Sequence, residues 1–225
     1  MHFLCLHGLG TNSKVLETQT AAIRAELGDG HTYDFVDGAV PWPKAPELGD
    51  MFSDNDQYFG YYDPHNAQSM YKALLDLENY IETEGPFDGL LTFSHGGALS
   101  SSLLLGKAAE SIEDGIDSKW KNPFKCAIFL CSGVPWSLEH LRKNELVRLD
   151  RNFGSQISIP TAHVWALNDV WGDMSAVVEA LCLPQVRHSS IHSEGHTVPT
   201  KRTPEIFRSA VNAIRRTIWE VEASG

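Results

Sequence analysis

A serine at the end of a short apolar run is the residue most clearly suited to chemistry. The segment Thr92-Phe93-Ser94-His95-Gly96-Gly97 joins a predicted strand over residues 90–93 to a helix rich in alanine and leucine. This context is typical of the nucleophile elbow G-x-S-x-G, where small flanking residues relieve crowding around a strained serine backbone. Gly96 meets that requirement and Thr92 departs from it. Capping of the helix by Ser94 therefore stays an alternative to a nucleophilic role.

A nucleophilic serine needs a base, and the base needs an acid that orients it. In doubly wound hydrolases the acid and then the histidine follow the serine along the chain. His196 lies in a glycine-containing loop after a predicted strand over residues 185–191, and Asp169 follows a predicted strand over residues 161–167. Asp173 is the competing acid, but it lies at a predicted helix start, where Asp is a common cap. We therefore expect Asp169 to orient His196.

Attack of a serine on a carbonyl creates an oxyanion that needs backbone N–H donors. The N–H of His95, directly after the serine, is one expected donor. The N–H of Leu9 is the other, in the turn His7-Gly8-Leu9-Gly10-Thr11 after the first predicted strand. The alternative for this turn is chain reversal without a role in catalysis.

Three histidines suggest a rival site. His188, His192 and His196 have the i, i+4, i+8 spacing that would align metal ligands along one helix face. Gly195 and three serines between them disfavour a helix, and the apolar residues of this segment fit a strand. We therefore expect no metal site here.

The elements that must position these residues alternate between strand and helix, which is typical of a doubly wound α/β fold around a mostly parallel sheet. Hydrophobic periodicity predicts strands over residues 2–7, 31–36, 90–93, 125–131, 161–167 and 185–191, and helices over 15–27, 67–84 and 208–221 and after Gly97. A chain of 225 residues can form one such domain without a disulfide or metal. We expect residues 1–225 to form a single domain with helices on both faces of the sheet.

Residues 37–66 interrupt this alternation. They begin with three closely spaced prolines, Pro41, Pro43 and Pro46, combine several aromatic residues with Asp, Asn and Gly, and show neither helical nor strand periodicity. So long an aperiodic segment in a compact domain is usually a lid or a binding loop. The alternative is a surface excursion whose aromatic side chains pack on the body. As a lid, the segment would provide substrate contacts from Trp42, Tyr58, Phe59 and Tyr61.

Composition argues against several classes of protein. The chain has 18 Lys+Arg and 29 Asp+Glu, a formal net charge of −11, so its long-range field opposes nucleic-acid binding. It lacks an apolar stretch near the roughly 20 residues that a membrane span needs, and its N-terminus lacks the basic residues of a signal peptide. Its four cysteines are too few for a disulfide scaffold and indicate free thiols. We expect a cytoplasmic protein.

Together the motifs resemble the FSH-type serine hydrolases of the α/β-hydrolase superfamily. The resemblance extends over nearly the whole chain and rests on Leu4-Cys5-Leu6-His7-Gly8, Phe93-Ser94-His95-Gly96-Gly97, Asp169 and Gly195-His196-Thr197-Val198-Pro199. Thr92 and Ala166 stand where that family often has glycine. The resemblance implies carboxylesterase or thioesterase activity without a metal or an organic cofactor. Some members are similar to stand-alone thioesterases that release a polyketide from a carrier domain.

The expected reaction is therefore hydrolysis of an acyl ester or thioester by Ser94, His196 and Asp169 through an acyl-enzyme. A general carboxylesterase on small hydrophobic esters, an acyltransferase or cyclase, and a catalytically silent binding scaffold are the alternatives. The resemblance also implies an acyl carrier protein with an acidic surface as a partner. Lys201 and Arg202 follow the His196 loop and could dock such a surface, or they could simply stay solvated.

Overall fold

The computed structural model describes residues 1–114, 121–154 and 156–224. The strands are β1 (His2–Leu6), β2 (Thr32–Val36), β3 (Val40–Pro41), β4 (Phe59–Gly60), β5 (Gly89–Phe93), β6 (Cys126–Leu130), β7 (Thr161–Ala166) and β8 (Arg187–His192). The α-helices are α1 (Ser13–Leu27), α2 (Ala67–Glu84), α3 (His95–Asp114), α4 (Leu138–Arg142), α5 (Gly172–Ala180) and α6 (Pro204–Ser224). Two 3₁₀ helices cover Pro46–Met51 and Pro184–Val186.

Six of the strands form one parallel sheet in the order β2-β1-β5-β6-β7-β8. The chain runs outward from β1 to β2, crosses back to β5, and then continues in the opposite direction to β8. The carboxyl ends of the strands therefore meet at one edge, with the reversal of direction between β1 and β5. The predicted doubly wound sheet is confirmed, and its strand and helix ends differ from the prediction by a few residues.

Both faces of this sheet are buried, because successive side chains of a strand point to opposite faces. In β1, Leu4 and Leu6 join the core under α2, α3 and α4, whereas Phe3 and Cys5 join the core under α1 and α6. The near-continuous apolar runs of the central strands follow from this double coverage.

Side-chain caps fix the starts of the first two long helices. The Asn12 side chain accepts a hydrogen bond from Val15 N (2.8 Å), which begins α1 two residues before its predicted start. Asn66 accepts from Ser69 N (3.1 Å) in the same way, and α2 then occupies its predicted range. Such caps satisfy N–H groups that have no partner within the helix.

Residues 37–66 pack on the turn that follows β1. Gly10 N donates to Phe59 O (2.9 Å) and Phe59 N donates to Thr11 O (2.8 Å), while β3 and β4 pair as a short antiparallel ribbon. The two ends of the segment touch, since a Cβ on Gly38 would lie 2.3 Å from Gly60 O. The segment is thus a loop closed at its base. Its movement as a lid stays a prediction.

Two further sequence expectations concern the chain as a whole. All four cysteines are free and buried, as predicted. Among the described helices, none combines the length and the apolar character needed to cross a bilayer.

Candidate active site

Ser94 lies directly after β5 with its backbone in the left-handed region, at φ 52°. Its N–H donates to Leu130 O (3.0 Å) and its C=O accepts from Gly133 N (2.9 Å), so the neighbouring strand β6 and its following turn hold this conformation. Only glycine fits two residues later, because a Cβ on Gly96 would lie 2.4 Å from Leu6 O. These are the features of a nucleophile elbow.

Thr92, which stands where the elbow motif has glycine, fits within the sheet. Its side chain is fully buried and its Oγ1 donates to Ile128 O (3.2 Å). Among the described residues, Ser94 Oγ makes no capping hydrogen bond to α3, so the capping alternative has no geometric support.

His196 and Asp169 are brought together by the loops after β8 and β7. The distance between His196 Nδ1 and Asp169 Oδ2 is 2.6 Å, and Asp169 Oδ1 accepts from Trp171 N (2.9 Å). The Asp169 side chain has no exposed surface. Asp173 instead lies exposed in the first turn of α5, where Trp171 is the N-cap residue. The geometry therefore pairs His196 with the predicted acid.

A third polar residue, which the sequence reasoning missed, joins these two loops. Asn168 Oδ1 accepts from Gly195 N (3.0 Å), and Asn168 Nδ2 donates to Ser193 O (2.9 Å). One amide side chain thus fixes the backbone on both sides of Glu194, just before the histidine. Its place immediately before Asp169 was the available sequence signal.

The rival histidine site is not assembled. His188 and His192 lie on β8, where residues four apart are separated by roughly 13 Å, and His188 Nε2 is 2.9 Å from Glu220 Oε1. Within the described residues, the metal-capable group is a different one: Cys131, Asp169 and His196, with donor atoms within 4.8 Å of one another. Burial raises the pKa of Cys131 to about 12, so its thiol stays protonated and poorly suited to ligation.

Ser94 and His196 line a common cavity of about 470 Å³. The His196 ring packs against Phe93, with ring centroids 5.0 Å apart. Ser94 Oγ and His196 are not joined by a hydrogen bond among the described residues. Such catalytic hydrogen bonds commonly tighten when a substrate binds.

The two predicted oxyanion donors also border this cavity. Among the described residues, neither Leu9 N–H nor His95 N–H has a hydrogen-bond acceptor. The peptide that carries Leu9 N–H is held through its carbonyl, Gly8 O, which accepts from Thr11 Oγ1 (2.7 Å) and lies 2.7 Å from His7 Nδ1. Because the peptide is planar and trans, fixing the carbonyl also fixes the N–H on its opposite side.

The side chains of His7 and His95 are buried acceptors that hold the two ends of the loop 37–66. Gly38 N donates to His7 Nε2 (2.9 Å), while Tyr61 N donates to His95 Nε2 (3.1 Å). Burial lowers the pKa of both histidines, to about 3 for His95. Both imidazoles are therefore neutral, which leaves Nε2 free to accept.

Of the four aromatic residues predicted to contact substrate, Trp42 lines the cavity and the other three lie elsewhere. Tyr58 is buried within the loop, and its hydroxyl donates to Ser53 O (2.6 Å). Phe59 belongs to β4. Tyr61 donates to Val36 O (2.7 Å) and accepts from His7 N (2.9 Å). Trp42 stays a predicted substrate contact, whereas the hydroxyl groups of Tyr58 and Tyr61 and the backbone of Phe59 hold the loop.

Several residues that line the cavity were not among the predicted site residues. Tyr62 stacks on His95 with ring centroids 4.0 Å apart, and Trp136 Nε1 donates to Tyr62 Oη (3.2 Å). The remaining wall includes Val134, Arg148, Trp171 and Met174. These side chains come from the segments between β4 and β5, between β6 and β7 and between β7 and β8. Their convergence on one cavity therefore depends on the tertiary fold.

The known proteins to which this chain is similar carry the names of hydrolases and esterases. The family model described as Serine hydrolase (FSH1) matches residues 1–206. The chain is 40% identical over 203 residues to "Esterase FPY3" of Fusarium mangiferae, with 88% of each protein covered. It is 28% identical over 201 residues to "Hydrolase phiM" of a fungal species, covering 88% of this chain and 86% of that protein.

Solved structures support the fold alone. Arabidopsis thaliana SOBER1 superposes with a TM-score of 0.59 at 15% identity, covering 97% of this chain and 99% of that chain. A carboxylesterase from Mesorhizobium loti gives 0.56 at 16% identity, covering 92% and 86%. The sheet, the family match and the esterase relatives lead to one conclusion: the chain belongs to the FSH1 family of serine hydrolases, with an α/β-hydrolase fold and a carboxylesterase type of activity.

Proposed function

We propose that Ser94, His196 and Asp169 act as a catalytic triad that hydrolyses acyl esters or thioesters. The observation that carries this proposal is the buried Asp169–His196 pair beside a serine held at positive φ. Ser94 and His196 line one cavity together with Leu9 and His95, whose backbone N–H groups have no acceptor among the described residues.

The reaction follows from these positions. His196 Nε2 takes the proton of Ser94 Oγ as the oxygen attacks the acyl carbonyl carbon, and the N–H groups of Leu9 and His95 stabilise the resulting oxyanion. Collapse of this intermediate breaks the bond to the alcohol or thiol, which leaves with the proton from His196. Water then attacks the acyl-enzyme by the same steps and releases the acid.

Asp169 supports both half-reactions without itself being protonated. Its Oδ2 accepts the Nδ1–H of His196, which leaves Nε2 as the nitrogen that can take the serine proton. The second carboxylate oxygen is held by Trp171 N. With both oxygens engaged and no exposed side-chain surface, the carboxylate keeps the imidazole in one tautomer and one orientation.

Labelling with a fluorophosphonate probe tests the nucleophile. The wild type should gain one probe mass in intact mass spectrometry, because the reagent reacts with activated serines. Ser94→Ala should take up none, while Ser193→Ala, an exposed serine in the His196 loop, should label like the wild type. Equal labelling of wild type and Ser94→Ala would refute the assignment.

A finer part of the proposal is that the acyl group arrives as a thioester on an acyl carrier protein, from which a polyketide or another acyl product is released. Its predicted docking residues lie away from the catalytic cavity. Lys201 Nζ is 3.6 Å from Glu26 Oε2 and borders a separate cleft between α1 and α6, and Arg202 is exposed. These positions favour a solvated role for both side chains. Because Lys201 is paired with Glu26, docking of a carrier protein at this surface would depend on the exposed charge of Arg202.

A double charge reversal tests that docking. Docking at this surface requires that Lys201→Glu with Arg202→Glu lower kcat/KM on a carrier-bound thioester alone, with a loss that shrinks as salt rises. Equal rates on carrier-bound and small soluble thioesters would discard carrier docking at this surface. Product analysis in the same assay separates hydrolysis from transfer to a hydroxyl or an amine.

A further inference from the structure

Arg148 is an exposed cation in the wall of the catalytic cavity. It borders the cavity that contains Ser94. Among the ion pairs of the described residues none includes Arg148, although the chain has an excess of 11 negative charges. Lys44, the other lysine or arginine of this cavity wall, is 2.6 Å from Asp54 Oδ1 and donates to Phe52 O (2.7 Å). The Arg148 guanidinium is therefore the cation left available to a bound molecule.

The backbone of Arg148 is fixed by a short antiparallel pairing. Ser137 N donates to Val147 O and Leu149 N donates to Pro135 O, both at 2.8 Å, which places Arg148 opposite Trp136. The guanidinium carbon then lies 5.3 Å from the Trp136 ring centroid. A planar guanidinium stacks well on an aromatic face while its N–H groups stay free at the rim.

A continuous row of rings joins this cation to the nucleophile. Trp136 donates to Tyr62, and Tyr62 stacks on His95, the residue after Ser94. An acyl chain whose carbonyl lies at Ser94 would run along these rings toward Arg148. The three rings therefore lie between Ser94 at one end of the cavity and the Arg148 guanidinium at the other.

We propose that Arg148 is a specificity-determining residue that binds an anionic group of the substrate, a carboxylate or a phosphate, at a distance from the scissile carbonyl. This inference rests on the proposed function of Ser94. Guanidinium groups bind such oxyanions through paired N–H donors. Because the net charge of the protein repels anions at long range, a local cation is needed for an anionic substrate to be preferred over a neutral one.

Matched ester pairs test the carboxylate source. The probes are mono-4-nitrophenyl esters of adipic, suberic and sebacic acid, each compared with its methyl-capped neutral counterpart after subtraction of spontaneous hydrolysis. We expect the wild type to prefer the anionic ester of one chain length by about 10-fold in kcat/KM. Arg148→Gln should abolish that preference by lowering kcat/KM on the anionic ester more than on its neutral counterpart, and Arg148→Lys should keep part of the preference.

A second arm tests the phosphate source with hexanoyl thioesters of pantetheine and of 4′-phosphopantetheine. A preference for the phosphorylated thioester that Arg148→Gln removes would place the anion in the leaving group instead of the acyl chain. The charge control is Arg151→Gln, an exposed arginine outside the cavity wall, which should change neither ratio.

The outcomes separate this inference from the proposed function. If wild type hydrolyses neutral esters and neither ratio changes in Arg148→Gln, the inference is wrong and the triad stands. If Ser94→Ala hydrolyses neutral esters as fast as wild type, the proposed function itself fails. An equal loss on neutral and anionic esters in Arg148→Gln would assign Arg148 a structural role.

Discussion

The sheet edge that carries Ser94, Asp169 and His196 differs from the loop 37–66 in how it is held. The three residues follow β5, β7 and β8 within four positions, and those strands are fixed by parallel ladders with Phe93 opposite Leu130 and Ala166 opposite His192. The loop is held at its base by acceptors on other elements, chiefly the imidazoles of His7 and His95.

Because of this difference, the sheet edge positions the proposed reacting groups, whereas the loop determines part of the shape of the cavity. Ser94, Asp169 and His196 follow strands that also support the global fold, so we expect their positions to persist when the loop is altered. The loop is attached through hydrogen bonds to His7, to His95 and to the turn at Gly10 and Thr11. Substitutions in the two regions should therefore change different measurable quantities.

Removing the charge of Asp169 should give the largest effect. Asp169→Asn should lower kcat by about 10⁴-fold with the fold retained, because an amide favours the wrong tautomer of His196. The exposed Asp173→Asn is the matched control and should cost little. Steady-state kinetics with circular dichroism measures both, and the reverse ranking would transfer the acid to Asp173.

Removing the acceptor on His95 should loosen the loop. His95→Leu leaves the buried N–H groups of Tyr61 and Tyr62 without their acceptor, each at a cost of about 1–3 kcal/mol. We expect a 10- to 100-fold loss of kcat/KM and faster proteolysis within residues 37–66, with partial rescue in His95→Gln. His65→Gln, an exposed histidine of the loop region, is the control. Unchanged proteolysis in His95→Leu would contradict this attachment.

Acid should destabilise both regions through buried histidines. Burial lowers the pKa of His95 and of His163 in β7 to about 3, from an ordinary histidine pKa of 6.5. Below about pH 6.5 the unfolded chain binds protons that the native state does not, so stability is full above 6.5 and lost as pH falls toward 3. Each histidine should contribute up to about 1.4 kcal/mol per pH unit. Urea unfolding from pH 7 to 4.5 measures the slope.

The same titration compares the loop with the sheet. His95→Gln and His163→Gln should each remove part of the slope, because each takes away one site of proton uptake. A free energy of unfolding that stays constant across this range would contradict the neutral, buried state of both imidazoles.

Trimming the cavity wall should give the smallest effect. Trp42→Ala should lower kcat/KM on long acyl esters several-fold and spare acetyl esters, since each buried CH₂ contributes up to ~0.8 kcal/mol. Tyr58→Phe, which loses only the hydrogen bond to Ser53 O, should leave the chain-length profile unchanged. An identical profile for wild type and Trp42→Ala would remove this residue from the acyl site.

Strand and helix ranges were predictable because apolar spacing reports which face of an element is buried. Where a capping residue decides the end of a helix, the predicted end is wrong by a few residues. At α1, the cap at Asn12 makes the helix begin at Ser13 and not at the predicted residue 15. The aromatic residues of 37–66 show the limit of the same reasoning. The aromatic character of Tyr58 and Tyr61 in a polar segment predicts substrate contacts, yet their hydroxyl groups hold the loop. The direction of a side chain depends on the local backbone conformation, which hydrophobic periodicity does not report.

The sequence by itself determined the doubly wound sheet, the serine at the end of β5, and the acid and histidine after β7 and β8. These depend on local patterns and on the rule that parallel strands end at one edge. Only the tertiary structure decided that Asn168 joins two loops, that His7 and His95 accept from residues 37–66, and that Arg148 reaches the cavity. Those contacts join residues at least 25 positions apart, and packing alone brings them together.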